Sequence, residues 1–334
     1  MRKNERDVFG DGEGGFVSRV AFSAAPHFQT PENAREWLER TRWPEGPVCP
    51  CGTVGRAYKT KRQGTYRCAE KECRKDFSVT IGTVMERSHI ALNKWLMGFY
   101  LMASSKKGIS AHQLSRSLGL DYKSAWFMCH RIREAMAGTS VGDDGGSMGG
   151  SGKIVEADET YFGQVEERRP SPERKGRPFT KGGKSGPSGK RAVVSLVERG
   201  GRVRSFHPAF ADGATVAAIV RQNIHEESRL HTDESRLYTK VGREFTAHET
   251  VTHSHDEYVR GDIYTNSVEG YFSIFKRGMK GVYQHCKEKH LHRYLAEFDF
   301  RYNHRVKLGY SDIDRTIEAV KGIEGKRLMY KQAH

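Results

Sequence analysis

The sequence contains no run of 18 apolar residues and no signal-peptide pattern, so neither an ordinary membrane-spanning helix nor export is expected. Acidic residues are in deficit, with 41 Asp and Glu against 56 Lys and Arg, a formal net charge of +15. Such an imbalance attracts polyanions, of which nucleic acid is the commonest, with an anionic membrane surface as the rival. Cysteine is scarce outside one stretch: of six, four (Cys49, Cys51, Cys68, Cys73) fall within 25 residues. That uneven spread argues against a disulfide framework and for a metal site in a reducing compartment. Cys129 and Cys286 stand alone and read as packing or partly exposed thiols. Internal repeats are absent. A cytoplasmic, nucleoid-associated protein with no membrane partner is expected.

Two low-complexity segments divide the 334 residues. Residues 138–152 hold seven glycines in fifteen positions and read as a flexible linker. Residues 168–191 carry nine Lys or Arg against one Glu, with four Pro and five Gly, and read as a mobile basic loop. The remaining organisation is a disordered N-terminus (1–29), a helix plus metal ribbon (30–85), a helical region (86–137), a mixed α/β sheet domain (153–310) and a C-terminal tail (311–334). Within these, Thr30 and Pro31 open a helix over 31–42, and "KDFSVTIGT" (75–83) is strand-like. "KIVEADETYFG" (153–163) is a strand, 191–207 a hairpin turning at Gly200–Gly201, 214–225 a helix and "RLHT" (229–232) a short strand, with helices from about 265.

The cysteines are arranged as Cys49-Pro-Cys51, sixteen residues, then Cys68 and Cys73, with Gly52 suited to the tight turn of a knuckle. Four thiolates on two short loops hold structural Zn²⁺ in ribbon sites, although both pair spacings depart from the usual C-x₂-C, and a degenerated, metal-free site is the alternative. Residues 107–136 have the layout of a helix-turn-helix, with Gly119 in the turn and Ala125, Trp126, Cys129, Ile132 and Met136 inward on the second helix. Lys123, Ser124, His130, Arg131 and Arg133 then face solvent, where phosphates or base edges would meet them. A helical hairpin that only supports its neighbours has the same pattern.

Three carboxylates stand out. Asp158 closes the run "KIVEAD", Asp233 follows "RLHT", and Glu269 lies in the first turn of a helix, with 35 residues between it and Asp233. Asn266, Glu269 and Lys276 share one face of that helix. Any single acid among 41 is a surface residue by default; the set is more informative. Glu159 and Glu234 alternate away from their neighbours, and Asp262 suits a helix cap. His285, His290 and His292, which could look like a metal group, sit among Lys287, Lys289 and Arg293 and read as DNA-facing polar residues.

The second half resembles the DDE domain of insertion-sequence transposases of the ISXO-type (ISXO-two-like) group. The resemblance rests on "NSVEGYFSIFKRGMKGVYQHCKEKHLHRYLAEFDFRYNHR" (266–305), "VEADETYFG" (155–163) and "HTDE" (231–234), with "CRKDFSVTIGTVMERSHIALNKW" (73–95) similar to the group's zinc ribbon and following helix. It implies a multidomain α+β protein: a zinc ribbon and helix-turn-helix, followed by an RNase H-like α/β catalytic domain whose acids hold Mg²⁺ or Mn²⁺. In-line attack on a phosphodiester needs an activated oxygen on one side and a stabilised leaving oxygen on the other, which paired dications supply. Carried onto this chain, Asp158 and Asp233 are the first two ligands. The third is Glu269, favoured by charge and spacing, or Asn266, with Lys276 and Arg277 approaching phosphate. Tyr264 stands where many members have His. The implied partners are element ends and target DNA, handled by a homodimer or larger synaptic complex. A DNA-binding protein that does not cut, and a structure-selective nuclease of the same fold, are the rival readings.

Overall fold

A computed structural model describes residues 25–138, 146–164, 189–251 and 260–329. The sequence expectations for 1–24, 139–145 and most of the basic loop (168–188) lie outside the described residues. Among the described residues, no helix is long and apolar enough to cross a membrane.

The N-terminal unit starts with α1 (Pro26–Gln29) and α2 (Pro31–Arg42). The Thr30 hydroxyl caps α2 by accepting the Asn33 N–H at 3.2 Å, as the Thr-Pro pair leads one to expect. His27 and Phe28 are buried, so the expected disorder of 1–29 is corrected at its end: Phe28 is a core residue of the first unit. A three-stranded antiparallel sheet follows, β1 (Ala57–Lys59), β2 (Tyr66–Cys68) and β3 (Asp76–Phe77), in that order. The strand expected over 75–83 is only two residues long. Beyond Phe77 the chain turns, and Val79 is still buried. Then come α3 (Leu92–Ser104), α4 (Ala111–Leu118) and α5 (Tyr122–Met136). Gly119 ends α4 at φ +58°, a backbone setting open to glycine, and Asp121 caps α5 through the Ser124 N–H at 3.0 Å.

The expected C-terminal tail is instead α9 (Asp312–Lys321), opened by a reciprocal Ser311–Asp314 cap. Its Ala319 and Val320, with Ile323 beyond, pack into the same core as Trp95, Phe99 and Met102 of α3. An amphipathic helix with three apolar positions at helical spacing cannot stay solvated when an apolar face is at hand.

The second unit is a five-stranded sheet in the order β6-β5-β4-β7-β8: β4 (Ile154–Gln164), β5 (Lys190–Glu198), β6 (Val203–Phe206), β7 (Arg229–Thr232) and β8 (Ala247–Thr250). β4, β5 and β6 pair antiparallel, whereas β7 runs parallel to β4 and β8 parallel to β7. The two-residue period of β5 divides its apolar run between two faces. Val194 and Leu196 face the core under α6 (Gly213–Asn223), and Val193 and Val197 face the core under α7 (Asn266–Gly278) and α8 (Leu291–Asn303).

The linker expectation is corrected over its second half. Met148 is fully buried in the α6-side core, its N–H donating to Asn223 O at 2.7 Å, and Gly149 sits where a side chain would collide with Ser228. The two units meet along α5 and α8, where Arg133 Nε donates to Glu297 Oε2 at 2.7 Å with both groups buried. Glu297 also receives Arg301 and the Tyr283 hydroxyl.

Candidate active site on the central strands

Parallel pairing of β4 with β7 runs Ile154↔Arg229, Val155↔Leu230, Glu156↔His231, and there it stops. Asp158 lies two residues past Glu156 and Asp233 two past His231, so the two acids leave adjacent strands at the same level. Asp158 is therefore in the middle of the eleven-residue β4, not at its end. β4 continues beside β5 while β7 has ended, and this opens the space above it.

The carboxylates of Asp158, Glu159 and Asp233 lie within 4.8 Å of one another. The alternation that should send Glu159 away is overcome because its carboxylate is drawn to the loop after β7, where it accepts the Ser235 hydroxyl at 3.2 Å. Asp233 Oδ1 accepts the Ser235 N–H at 3.0 Å, and Asp158 Oδ1 accepts the Glu159 N–H at 2.7 Å. Burial pushes the Asp158 carboxyl up to about 8, helped by the charges of Asp233, Glu159 and Glu269. Glu159 is raised by the same kinds of cause, burial first. Hard oxygen donors so crowded that they cannot all ionise alone fit a Mg²⁺- or Mn²⁺-sized dication.

Glu269 and Asn266 are exposed on the first turn of α7, and Glu269 accepts the Thr265 hydroxyl at 2.7 Å. Neither belongs to the close group of three acids. Lys276 is half-buried two turns on, and Arg277 is exposed, its Nε donating to Ser273 O at 3.1 Å.

Sequence reasoning missed the group that docks α7. Glu156 is fully buried, and its carboxylate accepts the backbone N–H groups of Ser267 and Val268 at 2.8 and 3.1 Å, the Ser267 hydroxyl at 2.9 Å and Arg199 Nε at 3.0 Å. The carboxylate thus takes the place of an N-cap and complements the positive end of the helix. Arg199 also donates to the carbonyls of Asp262 (2.7 Å) and Tyr264 (3.0 Å) and lies over the Tyr264 ring. Asp262, expected as a cap, pairs instead with Arg229 at 2.6 Å. The signal available was a second acid two positions before Asp158, on the same face of β4.

Of the five residues placed toward solvent on α5, Lys123 is exposed and Ser124 half-buried. His130 and Arg133 are corrected: both are buried, because α5 packs against α8 as well as against α3 and α4. Arg131 is half-buried and donates to the carbonyls of Glu86 (3.1 Å) and Leu328 (3.3 Å).

The four clustered cysteines converge. Cys49 Sγ lies 3.7 Å from Cys73 Sγ, and Cys51 Sγ lies 3.8 Å from Cys68 Sγ. Tetrahedral zinc with Zn–S bonds of about 2.3 Å requires sulfurs about 3.8 Å apart, whereas a disulfide needs about 2 Å. The irregular spacing is absorbed by Gly52, at φ +94°, and by Arg74, at φ +48°, just after Cys73. Hydrogen bonds from Thr53 pull the Cys51 thiol down to about 6.

Comparison with known proteins adds the following. Residues 149–303 match the ISXO2-like transposase domain, and residues 29–76 match the transposase zinc-ribbon domain. An uncharacterized protein in transposable element ISH50 of Halobacterium salinarum is 28% identical over 283 residues, covering 82% of this chain and 91% of that relative. Among solved structures, the Mos1 strand transfer complex aligns at 13% identity over 68% of this chain and 74% of that one, with a TM-score of 0.26. The mariner Mos1 paired end complex with Mg aligns at 15% identity over 66% and 75%, with a TM-score of 0.24. Superpositions this loose carry no weight for fold or site. The two domain matches, in the order expected from the sequence, give the chain a transposase zinc ribbon followed by an ISXO2-like transposase domain.

Proposed function

We propose that this transposase binds the terminal inverted repeats of its element and cleaves and joins DNA strands at Asp158 and Asp233. The observation that carries the reading is the acidic group itself: carboxylates from two parallel strands, within 4.8 Å, with burial holding Asp158 protonated to about pH 8. The sheet order, antiparallel on one side of β4 and parallel on the other, supports an RNase H-like fold. Asp158, Asp233 and a third group from the α7 turn, Glu269 or Asn266, would hold Mg²⁺ or Mn²⁺. When bound, the ions supply charge neutralisation for the attacking and leaving oxygens. The chain's own part is to fix those carboxylates. The Glu159 and Ser235 N–H groups orient Asp158 and Asp233, and Glu156 docks the turn that carries Glu269. Lys276 and Arg277 then lie along the path of a phosphate backbone leaving the site.

Cys49, Cys51, Cys68 and Cys73 would hold a structural Zn²⁺, and α4–α5 would act as a helix-turn-helix with Lys123 and Ser124 toward DNA. Two ends to be joined imply a dimer or larger synaptic complex. The test is metal-dependent cutting and joining of a labelled element-end duplex, with binding measured separately. Wild type is expected to cut and join, while Asp158→Asn, Asp233→Asn and Glu269→Gln bind and do not cut. Loss with Asn266→Ala alone would move the third role to Asn266. Binding without any cutting by wild type would leave a DNA-binding protein, and cutting without joining a nuclease.

A further inference from the structure

Between α5, the far end of β4 and the segment 284–290 lies a cavity of about 700 Å³, within the range of small-molecule sites. It is separate from the acidic group: Phe162 at its rim is four residues along β4 from Asp158, about 13 Å at strand rise. Its floor is His130, which is 1% exposed, with neither ring nitrogen hydrogen-bonded among the described residues. A buried polar side chain without partners is costly unless something supplies them. The rings around His130 do not: Trp126 stands edge-on at 4.2 Å, His290 is tilted at 4.8 Å and Tyr294 is edge-on at 5.8 Å, and none bonds to it. Tyr122, at the mouth, is 45% exposed, an uncommon position for an aromatic ring. Lys287 and Lys289 line the cavity from exposed positions, and neither ion-pairs with a carboxylate among the described residues.

We propose that this cavity receives a single unstacked nucleotide, its base between Trp126 and Tyr122, its edge bonded to His130, and its phosphate on Lys287 and Lys289. The chemistry is specific to a nucleotide: flat apolar walls for a base, one buried donor–acceptor ring for its edge, and cations for its phosphate. A plain anion has no use for the rings, and an apolar ligand none for His130 or the lysines. The proposal rests on the transposase reading: the cavity lies about 13 Å along β4 from Asp158, about four steps of stacked duplex, within reach of a strand held at the acids.

The test measures binding with no Mg²⁺ or Mn²⁺ added, so it does not depend on catalysis. The probe is a short single-stranded oligonucleotide carrying 2-aminopurine, with the same sequence as a blunt duplex for comparison. Wild type should quench the 2-aminopurine on binding. Trp126→Ala should abolish the quenching and weaken single-strand binding about tenfold, with duplex binding little changed. Lys287→Glu/Lys289→Glu, both on the surface and safe for folding, should weaken single-strand binding more than duplex binding. Displacement of the probe by a deoxynucleoside monophosphate, with the same sensitivity to both variants, would show that a free nucleotide suffices; no displacement would show that a continuous strand is required. Folded Trp126→Ala with unchanged quenching and affinity overturns the proposal. Should Trp126→Ala not fold, equal losses for single strand and duplex in the double lysine variant overturn it. If wild type cuts element ends while these variants bind like wild type, the cavity proposal alone fails.

Discussion

Glu156 of β4 accepts the backbone N–H of Ser267, the second residue of α7, at 2.8 Å from a fully buried position. The first turn of α7, the proposed third arm of the site, is therefore held to the central strand through one carboxylate. Glu156→Ala would leave the Arg199 guanidinium without its carboxylate and two helix N–H groups without their acceptor. A loss of about 3–5 kcal/mol is expected, since removing one side of a buried ion pair strands the other. Glu156→Gln should cost less in stability and yet reduce cleavage, because a neutral amide holds α7 with weaker bonds. Urea melts read the first effect and single-turnover cutting the second. Equal stability in both variants and wild type would refute the role.

Asp158 gives a pH signature. Its carboxyl sits near pH 8 in the folded, metal-free chain, against about 4 for an ordinary aspartate. A raised folded-state value means that folding favours the proton. The metal-free protein should lose stability as pH rises from about 4 through 8. Asp158→Asn removes this dependence and should melt several degrees above wild type at pH 8.5, with the gap closing at pH 5. Added Mn²⁺ should raise the melting temperature of wild type at pH 8.5 and not that of Asp158→Asn. A melting temperature for Asp158→Asn below wild type at pH 8.5 would contradict the electrostatic account.

The cysteine group predicts a bound ion. Purified protein should carry about one zinc per chain, lost in Cys68→Ser. Its removal should loosen the cluster of Trp43, Tyr66 and Phe77, whose ring centroids lie within 6 Å of one another beside β2. Tryptophan fluorescence before and after chelation reports this. A full complement of zinc in Cys68→Ser would place the metal elsewhere.

The joint between the two units is testable as well. Glu297→Ala leaves Arg133 and Arg301 buried without their shared carboxylate. A destabilisation of about 3–5 kcal/mol is expected, and Glu297→Gln should fall between. Denaturation followed separately by tryptophan fluorescence, all four tryptophans lying in the first unit, and by a label on the sheet domain would reveal whether the units unfold together.

The sheet domain was legible where pattern and geometry coincide. The apolar run of β5, the glycine pair of the hairpin and the strand preceding Asp233 each admit few alternatives. Asp158 and Asp233 stand out in the sequence as acids following short strands, and the structure brings their carboxylates together. What escaped was whatever depends on a second partner. α9 looks like a tail until α3 is there to receive it, and Met148 looks like linker until α6 is in place. His130 and Arg133 face solvent only if α5 has a single packing side, and the α8 side is invisible from 30 residues of sequence. Glu156 went unnoticed because a buried acid is recognised by its partners, and those partners are a helix terminus over a hundred residues away.

α9 closes the first unit from the far end of the chain, against α3, more than 200 residues earlier. Chains emerge from the ribosome N-terminus first, and domains generally fold as they emerge. Here the ribbon and helices are made early but lack one wall of their core until residue 323 is out. The N-terminal unit of a nascent chain is thus incomplete until the acidic strands have been made, so a prematurely terminated product would not present a finished N-terminal unit to compete with the full-length protein.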